Sequence, residues 1–245
     1  MRKRIVRLAV LAAAGLWFFR LASVPLPLTP TPPPPAAPPV PPKPHVPVVA
    51  LTFDVCPRHA GPGIDTAIVR ILRDSLVPAT FFVSGDWLLK HAAAFPLLSS
   101  LPGSEIANHT MTHPHLPLLS PDSIRWELAE TQRLLSQHVP HPAPYFRPPF
   151  GETDPMVDSV AASLGIRMIM FDIASGDPDP TFDAARLHRS VVPRVRPGSI
   201  VVMHINGGGR HTAEALPSII RDIRRRGFIL GTVSDVLSDS SYVGK

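Results

Sequence analysis

A chain of 245 residues with 44% apolar side chains is long enough to bury one sizeable core. Its net charge of +5 rests on Arg2, Lys3, Arg4, Arg7 and Arg20. Beyond residue 20 there are 19 basic and 19 acidic side chains, which argues against a nucleic-acid-binding face. A single cysteine, Cys56, excludes an intrachain disulfide framework.

The basic start and the apolar run from Leu8 to Phe19 read as an export signal or membrane anchor (residues 1–24), with the basic end on the cytoplasmic side. Residues 25–47 are proline with small and apolar spacers, a semi-rigid polyproline linker. Residues 48–240 form the expected folded domain, exported to the periplasm or beyond, either free or tethered to the cytoplasmic membrane.

VVALTF, ending at Asp54, has the pattern of a buried strand. A Pro/Gly loop (Cys56 to Gly63) leads to a helical periodicity over Asp65–Leu76. A strand over Pro78–Val83, a short helix within Trp87–Leu98 and the strand EIAN follow. A helix over Pro121–His138 comes next, with Pro121 suited to a first helical turn. YFR at 145–147, a helix over Asp154–Leu164 and a strand over Ile166–Ile173 continue the series. The chain closes with a helix (Phe182–Val192), a strand (Ser199–His204), a helix (Thr212–Arg226) and a strand (Phe228–Val233). Strands alternating with helices predict an α/β fold, a distorted (β/α) barrel of about seven parallel strands.

The stretch Gly103–Leu116, GSEIANHTMTHPHL, holds His109 and His113 four positions apart. A helical turn there would put both imidazoles on one face, within reach of one ion. Asp54, His109, Arg147, Asp172 or Asp177, and His204 fall at or just past the ends of apolar strands. In a parallel barrel those ends share the face that carries active sites.

These motifs (LTFD at 51–54, PATFFVSGDWL at 78–88, EIANHTMTHPHL at 105–116, FRPPFGE at 146–152, VVMH at 201–204 and TAEALPSII at 212–220) resemble the polysaccharide deacetylases of carbohydrate esterase family four, the NodB-homology domains. The resemblance runs from about Val48 to Leu237. It implies a divalent metal, often zinc, and removal of N-acetyl or occasionally O-acetyl groups from chitin-like or peptidoglycan sugars. By this resemblance His109 and His113 are metal ligands, Asp54 is the general base and Arg147 holds it. The Phe150 amide stands at the oxyanion position, Val202 lines the acetyl pocket, His204 is the general acid and Asp177 tunes it. The acetylated polysaccharide is the partner implied; no protein partner is.

The chain departs from the family where two aspartates and a glycine usually end the first strand. Here Asp54 is followed by Val55 and Cys56, and valine cannot coordinate a metal. Three completions of the histidine pair are open: Asp54 itself, which is preferred, then Asp65 reaching back across the loop, then Cys56 as a thiolate. Cys56 is otherwise a small buried residue. Pro178 replaces the tryptophan usual after Asp177, and INGGGRH after His204 is a glycine loop that closes over the sugar, contacts an acidic group, or is ordinary loop polarity. Two further readings stand beside a metal-dependent deacetylase: a glycan-binding module whose catalysis has lapsed, and a hydrolase of the same fold that cuts a different C–N bond.

Overall fold

Alternation along the first strand decides the layering of the molecule. In the computed structural model, which describes residues 47–57 and 63–238, β1 is Val48–Val55. Its odd positions Val49, Leu51, Phe53 and Val55 enter the large apolar core beneath the helices. Its even position Ala50 enters a second core on the other face, with Phe82, Ala107, Ile169 and Ile200. Each large side chain buried this way contributes roughly 1.5–3 kcal/mol. The same parity carries Thr52 and Asp54 onto the inner face.

The remaining elements, in order, are α1 (Thr66–Asp74), β2 (Ala79–Val83), α2 (Gly85–Lys90), α3 (Pro96–Ser99), β3 (Ser104–Asn108), α4 (Pro121–Ser136), β4 (Tyr145–Phe146), α5 (Pro155–Ser163), β5 (Arg167–Met168), β6 (Ile173–Ala174), α6 (Ala184–Val191), β7 (Ile200–His204), α7 (Thr212–Arg225), β8 (Ile229–Gly231) and α8 (Val233–Ser238). Local chemistry sets several helix starts. Ser120, Asp154 and Asp183 accept from backbone amides at the starts of α4, α5 and α6, and Pro121 and Pro155 occupy first-turn positions.

The strands pair in parallel in the order β5-β4-β3-β2-β1-β7-β6, and β8 pairs with the start of β1. This is the expected α/β fold of about seven parallel strands. One expected strand divides: Ile166–Ile173 yields β5 and β6, which stand at opposite ends of the strand order. Only residues 169–172 join them, so the two ends lie no more than about 18 Å apart and the sheet must curl. The division has a local cause. The Asp172 carboxylate accepts from the Ile200 amide at 2.7 Å and the Ser199 hydroxyl at 2.9 Å, fastening the chain to the start of β7. Asp172 thus lies at the end of the sheet away from the rim.

The expected export segment and nearly all of the proline linker lie outside the described residues. Among those described, no helix is long and apolar enough to cross a membrane.

Candidate active site

Asp54, near the end of β1, is buried at 6% exposure. Arg147, one residue past β4, is fully buried. Its Nη1 donates to Asp54 Oδ1 and to Thr52 Oγ1, both at 2.8 Å, and its guanidinium lies 4.0 Å over the Phe82 ring. Burial disfavours the Asp54 anion, but the charges of Arg147, His109 and His204 outweigh it and hold the carboxyl below its ordinary value. Asp54 is therefore a carboxylate at neutral pH.

The histidine pair sits on a loop, which corrects the expectation of a helical turn. Asn108 ends β3, and its Oδ1 accepts from the Thr110 amide at 2.8 Å, an Asx turn that suits Thr110 at φ 63°. His113 is left-handed as well, at φ 63°. These two reversals, rather than helical spacing, bring the imidazoles together with ring centroids 4.9 Å apart. The loop is anchored by Glu127, a carboxylate inside the apolar stripe of α4. Glu127 accepts from the Met111 and Thr112 amides at 2.7 and 2.8 Å and from the Thr112 hydroxyl. Its place between Ile124 and Leu128 on the buried face was the available signal, one that spacing arguments passed over.

His109 is oriented from behind. Its Nδ1 lies 2.9 Å from the Arg147 carbonyl, an acceptor, so Nδ1 keeps its proton and Nε2 is the nitrogen that faces the cavity and would offer its lone pair to a metal. There Nε2 lies 3.6 Å from Cys56 Sγ and 3.8 Å from Asp54 Oδ2.

Across the cavity, at the end of β7, His204 Nδ1 is 2.9 Å from Asp177 Oδ1. The other Asp177 oxygen accepts from the His204 amide at 2.7 Å and the Thr212 hydroxyl at 2.8 Å. Burial opposes the imidazolium, yet the Asp177 hydrogen bond, the Cys56 sulfur and the Asp177 and Asp54 charges raise His204 to about 11. This ring therefore holds its proton at neutral pH. The glycine loop supports both strand ends: Arg210 N donates to the Asp177 carbonyl at 2.8 Å, and Asn206 Nδ2 donates to the Cys56 carbonyl.

A cavity of about 370 Å³ is lined by Asp54, Cys56, His109, His113, Val202 and His204, with Asp177, Phe150 and Phe171 also on its walls. Phe150 is half exposed, stacks on His115 with ring centroids 4.3 Å apart, and holds φ 59°, a rare conformation for an aromatic residue. Cys56 Sγ and one nitrogen each of His109 and His113 lie within 4.8 Å of one another, the one such cluster among the described residues. Two imidazoles and a thiol fit a zinc-like ion. Asp65, expected as a possible ligand, is committed elsewhere. Its carboxylate caps α1 by accepting from the Ala67 amide at 2.8 Å, so it does not reach the histidines.

A family model described as polysaccharide deacetylase matches residues 42–169, across the ends of β1 and β3 and the Arg147 segment. A chitooligosaccharide deacetylase from Bradyrhizobium sp. (strain ANU 289) is 31% identical over 194 residues, covering 74% of this chain and 86% of that one. This chain belongs to the polysaccharide deacetylase family. Chitooligosaccharide and peptidoglycan deacetylases of this family are hydrolases that act on carbon–nitrogen bonds. A bifunctional xylanase/xylan deacetylase from Cellvibrio japonicus is 30% identical over 188 residues, covering 76% of this chain but spanning only 27% of that larger relative. In fold, the chain is similar to a CE4 family pseudoenzyme from Bacillus anthracis, with TM-score 0.71 and 27% identity over 80% of this chain and 66% of that one.

Proposed function

We propose that this polysaccharide deacetylase is a metal-dependent hydrolase, with zinc the best-fitting ion, that removes N-acetyl groups from a peptidoglycan- or chitin-like glycan outside the cytoplasm. One observation carries the reading: a carboxylate held ionised and a histidine held protonated face each other across one cavity, beside a pair of imidazoles. A glycan-binding module has no use for a matched base and acid.

Each residue then has a task. His109, His113 and a third ligand from the end of β1 would hold a divalent ion, which would supply Lewis-acid polarisation of the acetyl carbonyl and a more acidic water. Asp54, fixed by Arg147, takes the proton from the attacking water. The Phe150 amide donates to the oxygen that gains charge. His204, kept protonated by Asp177, gives its proton to the departing amine, and Val202 borders the acetyl methyl. Residues 1–24 direct or anchor the chain and residues 25–47 space the 48–240 domain from the membrane.

Acetate release from chitooligosaccharides and from peptidoglycan, measured after chelation and metal return, tests this reading. The native chain is expected to regain activity with zinc, and His109→Ala to lose both metal uptake and acetate release. A His109→Ala variant of full activity would refute it. Sugar binding without acetate release at any metal concentration would instead identify a lapsed enzyme, as the resemblance to a pseudoenzyme allows.

A further inference from the structure

We propose that the third protein ligand is the thiolate of Cys56, so that the centre is a His–His–Cys site selective for thiophilic ions. The inference rests on the metal-dependent reading above and specifies what completes it.

Strand parity is the first support. Asp54 and Cys56 line the cavity, whereas Val55 between them is fully buried in the core beneath the helices. The position after Asp54 is thus given to packing, and the next residue that faces the cavity carries sulfur. Local bonds hold this end of the strand. Ser84 donates to the Val55 carbonyl from both its hydroxyl, at 2.9 Å, and its amide, at 3.2 Å. Asn206 donates to the Cys56 carbonyl across a sequence separation of 150 residues. Both anchors engage the backbone and leave the thiol free to face the imidazoles.

Distances give the second support. A tetrahedral ion with zinc–sulfur and zinc–nitrogen bonds of ordinary length separates those two donors by roughly 3.6 Å. Cys56 Sγ and His109 Nε2 are 3.6 Å apart. Asp54 does not compete for this place. Its Oδ1 is held by Arg147 at 2.8 Å, its Oδ2 is 3.8 Å from His109 Nε2, and it lies outside the cluster of mutually close donors. Oxygen and nitrogen donors on one tetrahedral ion would stand closer, at roughly 3.4 Å. Asp54 is thereby left free to accept a proton.

A thiolate bears the same charge as a carboxylate but is far softer. The expected preference is for zinc, cobalt or cadmium over magnesium or manganese.

Because Cys56 is the sole cysteine, its chemistry reports on this site alone. The full chain, freed of metal, is titrated with Co²⁺ and Cd²⁺ while sulfur-to-metal charge-transfer absorption is followed, and Cys56 alkylation by iodoacetamide is timed with and without Zn²⁺. The expected result is a charge-transfer band that saturates at one equivalent. Alkylation should slow about 100-fold when zinc exceeds its Kd 100-fold, and Mg²⁺ or Mn²⁺ should leave the rate within about twofold. Cys56→Asp should still bind one ion, without the band and with a weaker preference for cadmium over manganese. Circular dichroism of that variant shows whether it is folded. One bound equivalent with no band and unprotected Cys56 would overturn the thiolate assignment while leaving the metal-dependent reading intact. A native chain that binds no ion would overturn both.

Discussion

Replacing Arg147 with methionine keeps most of the volume of a fully buried side chain and removes the only cation hydrogen-bonded to Asp54 among the described residues. Breaking a buried ion pair from one side typically costs about 3–5 kcal/mol, because the remaining charge is left unpaired. The lower end applies here. A single nitrogen, Nη1, serves both Asp54 and Thr52, Nη2 has no hydrogen-bond partner among the described residues, and His109 lies near enough to offset part of the loss. About 3 kcal/mol is still a large part of a domain's usual ~5–15 kcal/mol. The loss must also depend on pH. With Arg147 present, the Asp54 pKa lies below its unfolded value, so its stabilisation is present above about pH 4 and is lost as pH falls through the lower folded value. Without Arg147 the burial penalty is less opposed and the folded pKa rises. The deficit of the variant should therefore be small in acid and grow as pH rises toward 7. Urea unfolding of metal-free protein at several pH values, with Asp54→Asn and the double variant, measures this. The two changes should be non-additive by roughly 2 kcal/mol at pH 7. Additive effects with a pH-independent deficit would refute the claim that Arg147 serves to keep Asp54 ionised.

Three other substitutions test other parts of the rim. Asp177→Asn should lower the His204 pKa from about 11. Since a raised histidine pKa stabilises fully below about 6.5 and loses that contribution as pH rises through the folded value, the roughly 2–3 kcal/mol deficit should be largest at pH 6 and shrink toward pH 11; NMR of the His204 ring gives the pKa directly, and an unmoved value would exclude the pairing. Gly209→Ala would drive a methyl into Asp177 Oδ2 and Thr212 Oγ1, so kcat should fall roughly tenfold or more with KM less affected. Phe150→Ala keeps the backbone but removes the ring stacked on His115, and KM for chitooligosaccharides should rise about 3–10-fold with kcat nearly unchanged.

Where one physical signal dominated, the sequence was legible. The apolar runs ending at Asp54, Val83 and His204 became β1, β2 and β7, and the Asp54–Arg147 and His204–Asp177 pairs meet across strands far apart in the chain. Legibility failed where non-local partners decide. Ile166–Ile173 has the composition of one strand, yet β4 recruits its start, β7 recruits its end and Asp172 fastens the break. The i, i+4 spacing of His109 and His113 suggests a helix, but an Asx turn and two left-handed residues set the geometry. Asp65 reads equally as a ligand or a cap, and the start of α1 decides for the cap. Glu127, Asn206 and Thr52 were not assigned because their roles arise from backbone groups and side chains brought near by folding.

Arg147 links these findings. Its side chain fixes Asp54, while its own carbonyl sets which nitrogen of His109 faces the cavity. Its amide in turn donates to the Asn108 carbonyl at 3.0 Å, one residue before that histidine. One residue therefore sets the protonation state of the carboxylate and the tautomer of the imidazole, and any shift of β4 against β3 would disturb both together. β4 is only two residues long and registers with β3 through the pair Asn108 and Phe146. So short a strand would be weak alone. It is reinforced by the Asn108 amide group, which donates to the Leu128 carbonyl of α4, and by Phe146, buried against Leu128 and its neighbours. Loosening α4 should therefore reach the site through Asn108 and Glu127 together, although no residue of that helix lines the cavity.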